Sequence, residues 1–381
     1  MNRDSLSWIE IDRAALVHNH QEFRRLIGPG CRFLAVIKAN AYGHGLLEVS
    51  RILTREGVDW LGVNSLEEVA ALRKAGIKAR LLVLGYVPLA DLDEAVRLGA
   101  RLTVYNEETV ERLALICRRR KKKAFLHLKI ETGTHRQGLR PEQIPQFLGK
   151  ILGRQGLVLE GLSSHFANIE DTTDASYPRR QLELFQTARR AVEKAGVQVP
   201  FTHMSCTAST ILFPETYHDM VRVGIGLYGY WPSKETYLSC RLQKRCAVQL
   251  KPVLSWRARV AQVKRLPRGA FIGYGGTYRT TRPTALAVLP VGYSDGYSRA
   301  LSNASFVLIR GRRAPVRGRV AMNFLLADIT DISGVRLEER ATLIGRDGPE
   351  TCTAEHLASL TGTIAYEVLS RLNPSLPRII V

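Results

Sequence analysis

The first 230 residues alternate short apolar, β-branched runs with longer segments in which apolar residues recur at helical spacing. Amphipathic helices are predicted over 66–74 and 179–194, and Ala195-Gly196 suits the end of the second. Eight apolar runs are predicted strands, at 33–38, 60–64, 80–84, 102–105, 125–130, 158–165, 201–205 and 221–228. Eight strands mostly separated by helices predict a TIM-like (β/α)8 barrel. An open, doubly wound sheet is the alternative, because periodicity does not report closure.

From about residue 240 the pattern changes to strand-like runs with Gly and Pro turns and little helix between them. Strands are predicted at 253–261, 284–290, 305–309, 324–329 and 341–344, with a helix over 354–360. The alternating segment Ser7-Trp8-Ile9-Glu10-Ile11 is predicted to add a strand to this part of the chain. We therefore expect an α/β barrel domain at 12–238 and a mostly β domain at 239–381, joined by residues 1–11.

Composition is that of a soluble globular enzyme, with 45% hydrophobic and 24% charged residues among 381. No apolar run approaches the ~18 residues of a membrane span, and the N-terminus has no apolar core of a secretory signal. The six cysteines are scattered without a CxxC pair, which argues against a zinc site and against a disulfide framework. We expect a cytoplasmic protein without a membrane partner.

The formal net charge of +20 first suggests a nucleic acid or another polyanion as a partner. The charge is local, however: residues 241–320 hold seventeen Lys and Arg but a single acid, Asp295, and 118–123 is a run of six cations. The remainder is nearly neutral. With no recognised nucleic-acid motif or aromatic stacking platform, we expect no nucleic-acid partner and treat steering of an anionic cofactor or substrate as a hypothesis.

Candidate chemistry lies where barrel strands end, since active sites of such barrels lie at the C-terminal ends of the strands. The polar residues at these places are Lys38, Asn64, Lys129, Glu131, Arg136, His165, Ser205 and Arg222. Lys38 ends the run Phe33-Leu34-Ala35-Val36-Ile37, where burial would lower its pKa and favour a neutral, nucleophilic amine. From position alone, a surface lysine just outside the core is an equal alternative.

The stretch Ala35-Val36-Ile37-Lys38-Ala39-Asn40-Ala41-Tyr42-Gly43-His44-Gly45 resembles the cofactor-lysine motif of alanine racemases, and matching blocks follow in order along the whole chain. The resemblance implies pyridoxal 5'-phosphate as cofactor, carried by Lys38, and Arg222 facing its pyridine nitrogen. It assigns the phosphate to the backbone of Gly224 and Ile225 and to the hydroxyls of Tyr42, Ser205 and Tyr366. It also implies a homodimer with shared active sites that interconverts L- and D-alanine and supplies D-alanine for peptidoglycan.

Racemisation needs two bases on opposite faces of the substrate, and the resemblance assigns these roles to Lys38 and Tyr274. His165 corresponds to the histidine that links this tyrosine to the arginine at the ring nitrogen. Arg136 and the backbone amide of Met322 would bind the substrate carboxylate, and Tyr293 would narrow the entrance together with Tyr366. Lys129 corresponds to a lysine that is often carbamylated in relatives. No metal is implied.

Taken singly, these residues have ordinary interpretations: a salt-bridge arginine, core aromatics, a turn serine, a hairpin tyrosine and a core histidine. Departures from the family pattern occur at Ala321-Met322-Asn323, Thr134-His135 and Met204-Ser205-Cys206, and they leave substrate breadth open. A serine or broad-specificity racemase is therefore the alternative function on the same scaffold. A decarboxylase of the same barrel family and a cofactor carrier or nucleic-acid-binding protein are further alternatives.

Overall fold

The computed structural model describes residues 5–58, 60–243 and 248–381, and the chain divides into two compact units. The barrel unit consists of Ala15–Ala39 and Val49–Lys251. The β unit consists of Met1–Ala14, Asn40–Glu48 and Pro252–Val381. The short segment 40–48, which directly follows the candidate lysine, thus belongs to the β unit although the barrel surrounds it in sequence.

Strand β1 (Ser7–Ile11) belongs to the β unit, and the next eight strands form one parallel sheet of the barrel unit. Along the sheet the order is β8-β7-β6-β5-β4-β3-β2-β9. Backbone amides of Asp219 and Arg222 donate to the carbonyls of Thr202 and Ser205 (3.1 and 3.2 Å) and so connect β9 to β8. The predicted barrel is confirmed, and its strands are β2 (Arg32–Val36), β3 (Trp60–Val63), β4 (Arg80–Val83), β5 (Arg101–Val104), β6 (Ala124–Lys129), β7 (Leu157–Ser163), β8 (Phe201–His203) and β9 (Met220–Val223).

The helices up to the end of the barrel unit follow the predicted alternation with the strands. The predicted helix at 66–74 is confirmed: Leu66, Val69 and Leu72 are buried, and acids in its first turn and cations in its last complement the helix dipole. The helices are α1 (Arg13–Ile27), α2 (Lys38–Tyr42), α3 (Leu46–Arg55), α4 (Leu66–Lys74), α5 (Leu92–Arg97), α6 (Glu107–Arg120), α7 (Ile144–Ile151), α8 (Ser176–Lys194), α9 (Thr207–Leu212) and α10 (Lys234–Leu242).

The β unit is mostly β, as predicted, and contains three sheets. The largest has the order β16-β15-β18-β10-β1-β20, with β19 paired to β18; a second has the order β11-β14-β17, and β12 pairs with β13. The remaining elements are β10 (Leu254–Arg259), β11 (Gln262–Leu266), β12 (Phe271–Ile272), β13 (Tyr278–Arg279), β14 (Thr284–Leu289), β15 (Phe306–Ile309), β16 (Arg312–Pro315), β17 (Leu325–Asp328), β18 (Arg340–Asp347), β19 (Glu350–Cys352), β20 (Arg378–Ile380), α11 (Ala354–Thr361) and α12 (Ala365–Ser370).

Strand β1 lies between β10, to which it is antiparallel, and β20, to which it is parallel. Ser7, Ile9 and Ile11 are buried while Trp8 and Glu10 are partly exposed, which is the alternation expected of a strand with one face in the core. The extra N-terminal strand is therefore confirmed for residues 7–11. Residues 1–4 of the predicted joining segment lie outside the described residues.

Two expectations are wrong. The run 221–228 is a strand only to Val223, and Ile225–Tyr228 forms a 3-10 turn; all of these residues are buried, and an apolar run alone does not separate a buried strand from a buried turn. The expectation of no disulfide also fails, because Cys240 is disulfide-bonded. Sequence spacing does not report which side chains approach each other. Cys31, Cys117, Cys206 and Cys352 are free, and Cys246 lies outside the described residues.

No helix among the described residues has both the length and the apolar character needed to cross a membrane.

Candidate active site

Lys38 directly follows the first barrel strand, and the preceding amide of Ile37 extends the β2–β3 pairing by donating to the carbonyl of Gly62 (2.8 Å). The lysine is half-buried. Burial lowers the pKa of Lys38 and the positive charge of Arg136 lowers it further; Glu68 opposes this shift, and Arg222 makes the smallest contribution in the lowering direction. The barrel therefore favours the neutral amine that nucleophilic attack on a carbonyl carbon requires.

The turn after Lys38 is left-handed. Ala39, Asn40, Ala41 and Tyr42 all have φ between +53° and +54°, although none is glycine. For L-residues this region costs about 1–2 kcal/mol each, so four in succession are a substantial local strain. Strain of this kind persists where the surrounding structure enforces it, which is common at functional sites.

Arg222 in β9 is buried, and its two terminal nitrogens are fully used. Nη1 donates to the carbonyl and Nδ1 of His203 (2.9 and 2.7 Å), and Nη2 donates to the carbonyls of Ser164 and Met204 and to Nδ1 of His165 (2.6, 3.0 and 3.2 Å). Among the described residues, none accepts from Nε. Burial lowers the pKa of Arg222 to about 10, with a contribution from Arg136, so the group stays charged near neutrality and Nε–H remains as a donor.

A buried hydrogen-bond chain continues from Arg222 through the barrel interior. His203 Nε2 lies 2.8 Å from His127 Nδ1, and His127 Nε2 lies 3.4 Å from Glu160, which also pairs with Arg101 (3.2 Å). Because arginine only donates, His203 accepts at Nδ1, donates from Nε2 to His127, and His127 donates from Nε2 to the carboxylate. Each of the two neutral histidines therefore has only one tautomer that fits these hydrogen bonds, and protonation of either histidine would break one of them.

Burial favours these neutral forms. It lowers the pKa of His203 well below the usual value, with Arg222 and His127 acting in the same direction, and it lowers the pKa of His127 against the effect of Glu160. Burial opposes ionisation of Glu160, but its hydrogen bond with His127 and the charge of Arg101 hold the net pKa of that carboxyl below the ordinary range. Glu160 is thus the anion at the far end of a chain that begins at Arg222.

Lys129, Arg136 and His165 also lie within electrostatic range of Lys38 and Arg222. Burial, followed by Arg222 and Arg136, lowers the pKa of Lys129 well below normal, and burial and Arg222 do the same for His165. The barrel unit therefore collects five basic side chains, with Glu131 and Glu68 within electrostatic range of Lys129 and Lys38 respectively. Basic groups that depress one another's pKa values are well suited to an anionic ligand, which would relieve their mutual repulsion.

Hydroxyl groups cluster at the ends of β8 and β9. Ser205 is buried and lies within hydrogen-bond distance of Ser209, Thr210 and Thr216 (3.0, 2.9 and 3.3 Å). The amide of Gly224 donates to the hydroxyl of Thr207 (3.2 Å), and Ile225 follows in the buried 3-10 turn. This region brings together the hydroxyl of Ser205 and the backbone amides of Gly224 and Ile225. Hydroxyls and amides are donors from which phosphate oxygens accept hydrogen bonds.

Tyr42 and Tyr366 are adjacent in the β unit, with ring centroids 6.1 Å apart. Their proximity depends on Gly43 (φ +83°), because a Cβ atom there would lie 2.0 Å from the carbonyl oxygen of Leu369 in α12. Arg378 strengthens the contact by donating from Nε and Nη2 to the carbonyl of Gly43 (3.2 and 2.9 Å). The β unit itself therefore pairs these two predicted phosphate-binding hydroxyls.

Tyr274, Tyr293 and Met322 are exposed residues of the β unit, and the tyrosine at 274 has 74% of its surface accessible. The amides of Tyr293 and Ser294 donate to the carbonyls of Ala321 and Met322 (both 3.0 Å), so the predicted entrance tyrosine and the predicted carboxylate-binding residue are neighbours. Tyr274 lies between Gly273 and Gly275, which have φ of +70° and +71°. Side chains at those positions would be strained, which explains the flanking glycines.

The barrel unit thus has the features of an enzyme site for an anionic, carbonyl-bearing cofactor, built around a lysine whose ammonium form is disfavoured. Residues 11–232 match the family model "Alanine racemase, N-terminal domain", and 253–380 match "Alanine racemase, C-terminal domain". The alanine racemase of Leptospira interrogans (strain Fiocruz L1-130) is 38% identical, over 98% of this chain and 96% of that protein. The chain therefore belongs to the alanine racemase family, whose members are pyridoxal-phosphate-dependent isomerases.

Solved structures of alanine racemases have the same fold as this chain. The alanine racemase of Clostridium difficile 630 superposes with a TM-score of 0.93 at 30% identity, covering 100% of this chain and 97% of that one. The alanine racemase of Bartonella henselae, whose structure has covalently bound pyridoxal phosphate, superposes with a TM-score of 0.85 at 25% identity, covering 99% and 100%. The predictions of family, enzyme class, fold and cofactor are confirmed.

Four residues of the site were missed from the sequence: His127, His203, Glu160 and Gln181. Gln181 on α8 is fully buried and holds the loop after β7 by accepting from the amide of Ala167 (2.9 Å) and donating to the carbonyl of His165 (3.3 Å), and it also reaches the hydroxyl of Thr132 (3.5 Å) on the loop after β6. The sequence did contain a signal for these four residues: they are polar and lie inside predicted strands or on the apolar face of a predicted helix. A buried polar group needs a partner, so such positions identify internal networks.

Proposed function

We propose that this protein interconverts L- and D-alanine and thereby supplies D-alanine for peptidoglycan. The observation that carries the proposal is the cluster of basic side chains in the barrel unit, in which the pKa of Lys38 is lowered while Arg222 stays charged and is held by five hydrogen bonds. These two properties are what a lysine that binds pyridoxal phosphate and a permanent donor to its ring nitrogen require. Lys129, Arg136 and the hydroxyl cluster at Ser205 fit the negative charge of such a cofactor.

Bound pyridoxal phosphate supplies an electron sink that makes the α-hydrogen of an amino acid acidic. We assign Arg222 Nε–H as the donor to its pyridine nitrogen. Since arginine keeps its proton, this residue moderates the sink, which favours reprotonation at the α-carbon over transamination. Ser205, the amides of Gly224 and Ile225, and the hydroxyls of Tyr42 and Tyr366 are assigned to the phosphate.

Lys38 Nζ and Tyr274 Oη are assigned as the two bases, one removing a proton from the α-carbon and the other delivering one to its opposite face. His165, whose Nδ1 accepts from Arg222, is assigned to orient the tyrosine. Arg136 and the amide of Met322 would bind the substrate carboxylate, and Tyr293 and Tyr366 would limit the size of the entering side chain.

Carbamylation of Lys129 is a further part of the proposal. The reaction joins the neutral amine nitrogen to the carbon of carbon dioxide and releases a proton, so it needs the unprotonated lysine that burial and Arg222 favour. The product would place an anion among the basic groups of the pocket and so hold Arg136.

The exposed apolar surface of the β unit supports a homodimer with shared sites. Phe271, Tyr274, Tyr293, Met322 and Phe324 have between 43% and 74% of their surface accessible. Large exposed apolar side chains gathered on one segment of surface are typical of protein interfaces. A second copy of the chain that covered them would receive Tyr274 in its own barrel site. We also propose a cytoplasmic location, supported by the four free cysteines, with Cys240 as the exception.

The test is a D/L interconversion assay over alanine, serine and other small amino acids, with added cofactor. We expect alanine to be the preferred substrate, and we expect Lys38→Ala to lose both racemisation and the absorbance of the lysine-bound cofactor. Retained racemisation in Lys38→Ala would refute the assigned role. A preference for serine would instead favour the broad-specificity alternative, which the departures at Thr134, His135 and Asn323 make worth testing.

A further inference from the structure

The segment that carries Arg136 is folded around one carboxylate. Glu131 accepts hydrogen bonds from the backbone amides of Gly133 and Arg136, and the neighbouring amides of Thr134 and His135 also lower the pKa of its carboxyl. The bond from Arg136 has an N···O distance of 3.2 Å and goes to Oε2, whereas Gly133 donates to Oε1, so both oxygens are used. Burial opposes ionisation of Glu131, but these amides lower its pKa overall, so the carboxylate is ionised at neutral pH.

Backbone strain accompanies this arrangement. His135 has φ +51°, a conformation that side-chain-bearing residues rarely adopt, and it directly precedes Arg136, whose amide donates to Glu131. Gly133 has φ +130°, and a Cβ atom there would lie 2.5 Å from the hydroxyl of Tyr177, which donates to the Gly133 carbonyl (2.8 Å). The chain thus adopts unusual dihedral angles at Gly133 and His135, within the short segment whose first and last amides donate to Glu131.

The other side of the segment is tied to the end of β7. The hydroxyl of Thr134 donates to the carbonyl of His165 (2.8 Å), and the hydroxyls of Thr132 and Ser164 are 2.7 Å apart. His165 in turn contacts Arg222. The Thr134-His135 departure from the family pattern therefore has a structural role: the threonine anchors the segment and the histidine completes its fold around Glu131.

Arg136 has an exposed side chain, and none of the described residues accepts a hydrogen bond from its guanidinium. The backbone of the segment therefore sets only the point from which this side chain projects. Among the described residues, Glu131 forms no ion pair with this guanidinium, and each of its oxygens accepts from a backbone amide instead. The arrangement keeps a cation next to a carboxylate without neutralising it by a direct ion pair.

We propose that Glu131 is a positioning residue for substrate binding: it holds the backbone of 133–136 so that Arg136 presents a free guanidinium to the carboxylate of the amino acid, with Thr134 fixing the segment to His165. This inference rests on the proposed function, which assigns Arg136 to the substrate carboxylate. It predicts an effect on substrate affinity larger than the effect on the chemical step, since the proposed function gives Glu131 no contact with substrate or cofactor.

The experiment uses the holoenzyme and its Glu131→Gln and Thr134→Val variants. A glutamine side chain has one accepting oxygen where glutamate has two, because its amide nitrogen only donates, so some backbone donors lose their acceptor. Valine removes the hydroxyl that reaches His165. For Glu131→Gln we expect KM for L-alanine to rise at least about tenfold with kcat within about threefold of the parent, as expected for lost uniform binding. Thr134→Val should show a smaller rise in KM.

Amide hydrogen exchange of residues 133–136, measured without substrate, is the second readout, and it should be faster in Glu131→Gln. The matched control is Glu142→Gln, which removes an exposed carboxylate that pairs with Arg140 on the next turn and should change neither measurement. Unchanged KM in both variants, or a fall in kcat at constant KM, would overturn the inference. A parent enzyme inactive on alanine would instead refute the proposed function, and hydrogen exchange alone would then decide whether Glu131 holds the segment.

Discussion

Acid should destabilise the barrel unit through histidines that fold in the neutral form, and His20 on α1 allows the magnitude to be worked out. Its side chain is buried, its ring meets Phe33 edge-on at 5.0 Å, and Nδ1 has no hydrogen-bond partner among the described residues. Burial lowers the pKa of His20 to about 4, with a smaller contribution from Arg24 and an opposing one from Glu56. The unfolded chain should titrate near the ordinary value of about 6.5.

The folded state therefore binds this proton less readily than the unfolded state. Above pH 6.5 neither state is protonated at His20, and the stability contribution is complete. As pH falls from 6.5 to about 4, the unfolded chain takes up the proton first and the free energy of unfolding decreases. The full pKa difference corresponds to about 3 kcal/mol, and the slope approaches about 1.4 kcal/mol per pH unit.

The perturbation is His20→Phe, which keeps an aromatic ring against Phe33 and removes the titration. The assay is urea unfolding followed by circular dichroism at intervals from pH 4.5 to 8. The parent should lose stability steeply below pH 6.5, since the pKa values of His44, His127, His165, His203 and His218 are lowered as well. In His20→Phe the free energy of unfolding should fall less steeply with decreasing pH, by the contribution of one proton. A constant difference in stability caused by the larger ring would not affect this comparison of slopes. Parallel curves for parent and variant would refute the reasoning.

Two further predictions concern the site. Glu160→Leu removes the acceptor of His127 and the partner of Arg101, and should lower the free energy of unfolding by about 3–5 kcal/mol in urea titrations. Glu160→Gln should lose less stability, because its side-chain oxygen can still accept from His127. Equal losses in the two variants would show that the hydrogen bonds between the histidines do not depend on this acceptor. If each site takes one of these two residues from each subunit, mixing refolded Lys38→Ala and Tyr274→Phe subunits should restore racemisation to about a quarter of the parent activity. Activity no higher than the sum of the separate variants would contradict shared sites.

The positions of the barrel strands were readable from the sequence because parallel strands buried on both faces are short, continuous apolar runs. Trp60–Val63 is an example, with all four residues buried. Closure was not readable, since it depends on β2 pairing with β9 and on two backbone hydrogen bonds between β9 and the end of β8. These contacts join residues that are far apart in the chain, and local periodicity contains no information about them.

The candidate site was predictable to the extent that it consists of residues placed directly after strands, such as Lys38 and His165. The resemblance to the alanine racemases added roles for them, but not the interactions that sustain those roles. The left-handed turn at 39–42 has ordinary residues with no local signal for positive φ. The assignment of 40–48 to the β unit likewise depends on distant partners, Leu369 and Arg378.

The charge of +20 illustrates the same difference between composition and placement. In the β unit, Arg310 and Arg313 pair with Glu339 and Glu350 (3.2 and 2.7 Å), and Arg312 donates to the carbonyl of Asp331. Such exposed groups act over roughly 8 Å at physiological ionic strength, and their pairing reduces the field that reaches a ligand. In the barrel unit Lys38, Lys129 and His165 are half-buried and their pKa values are lowered in part by the buried Arg222, so their effect on an anion is larger and less screened. The placement of a few basic residues near one another in the barrel unit is therefore more informative about an anionic ligand than the total charge is.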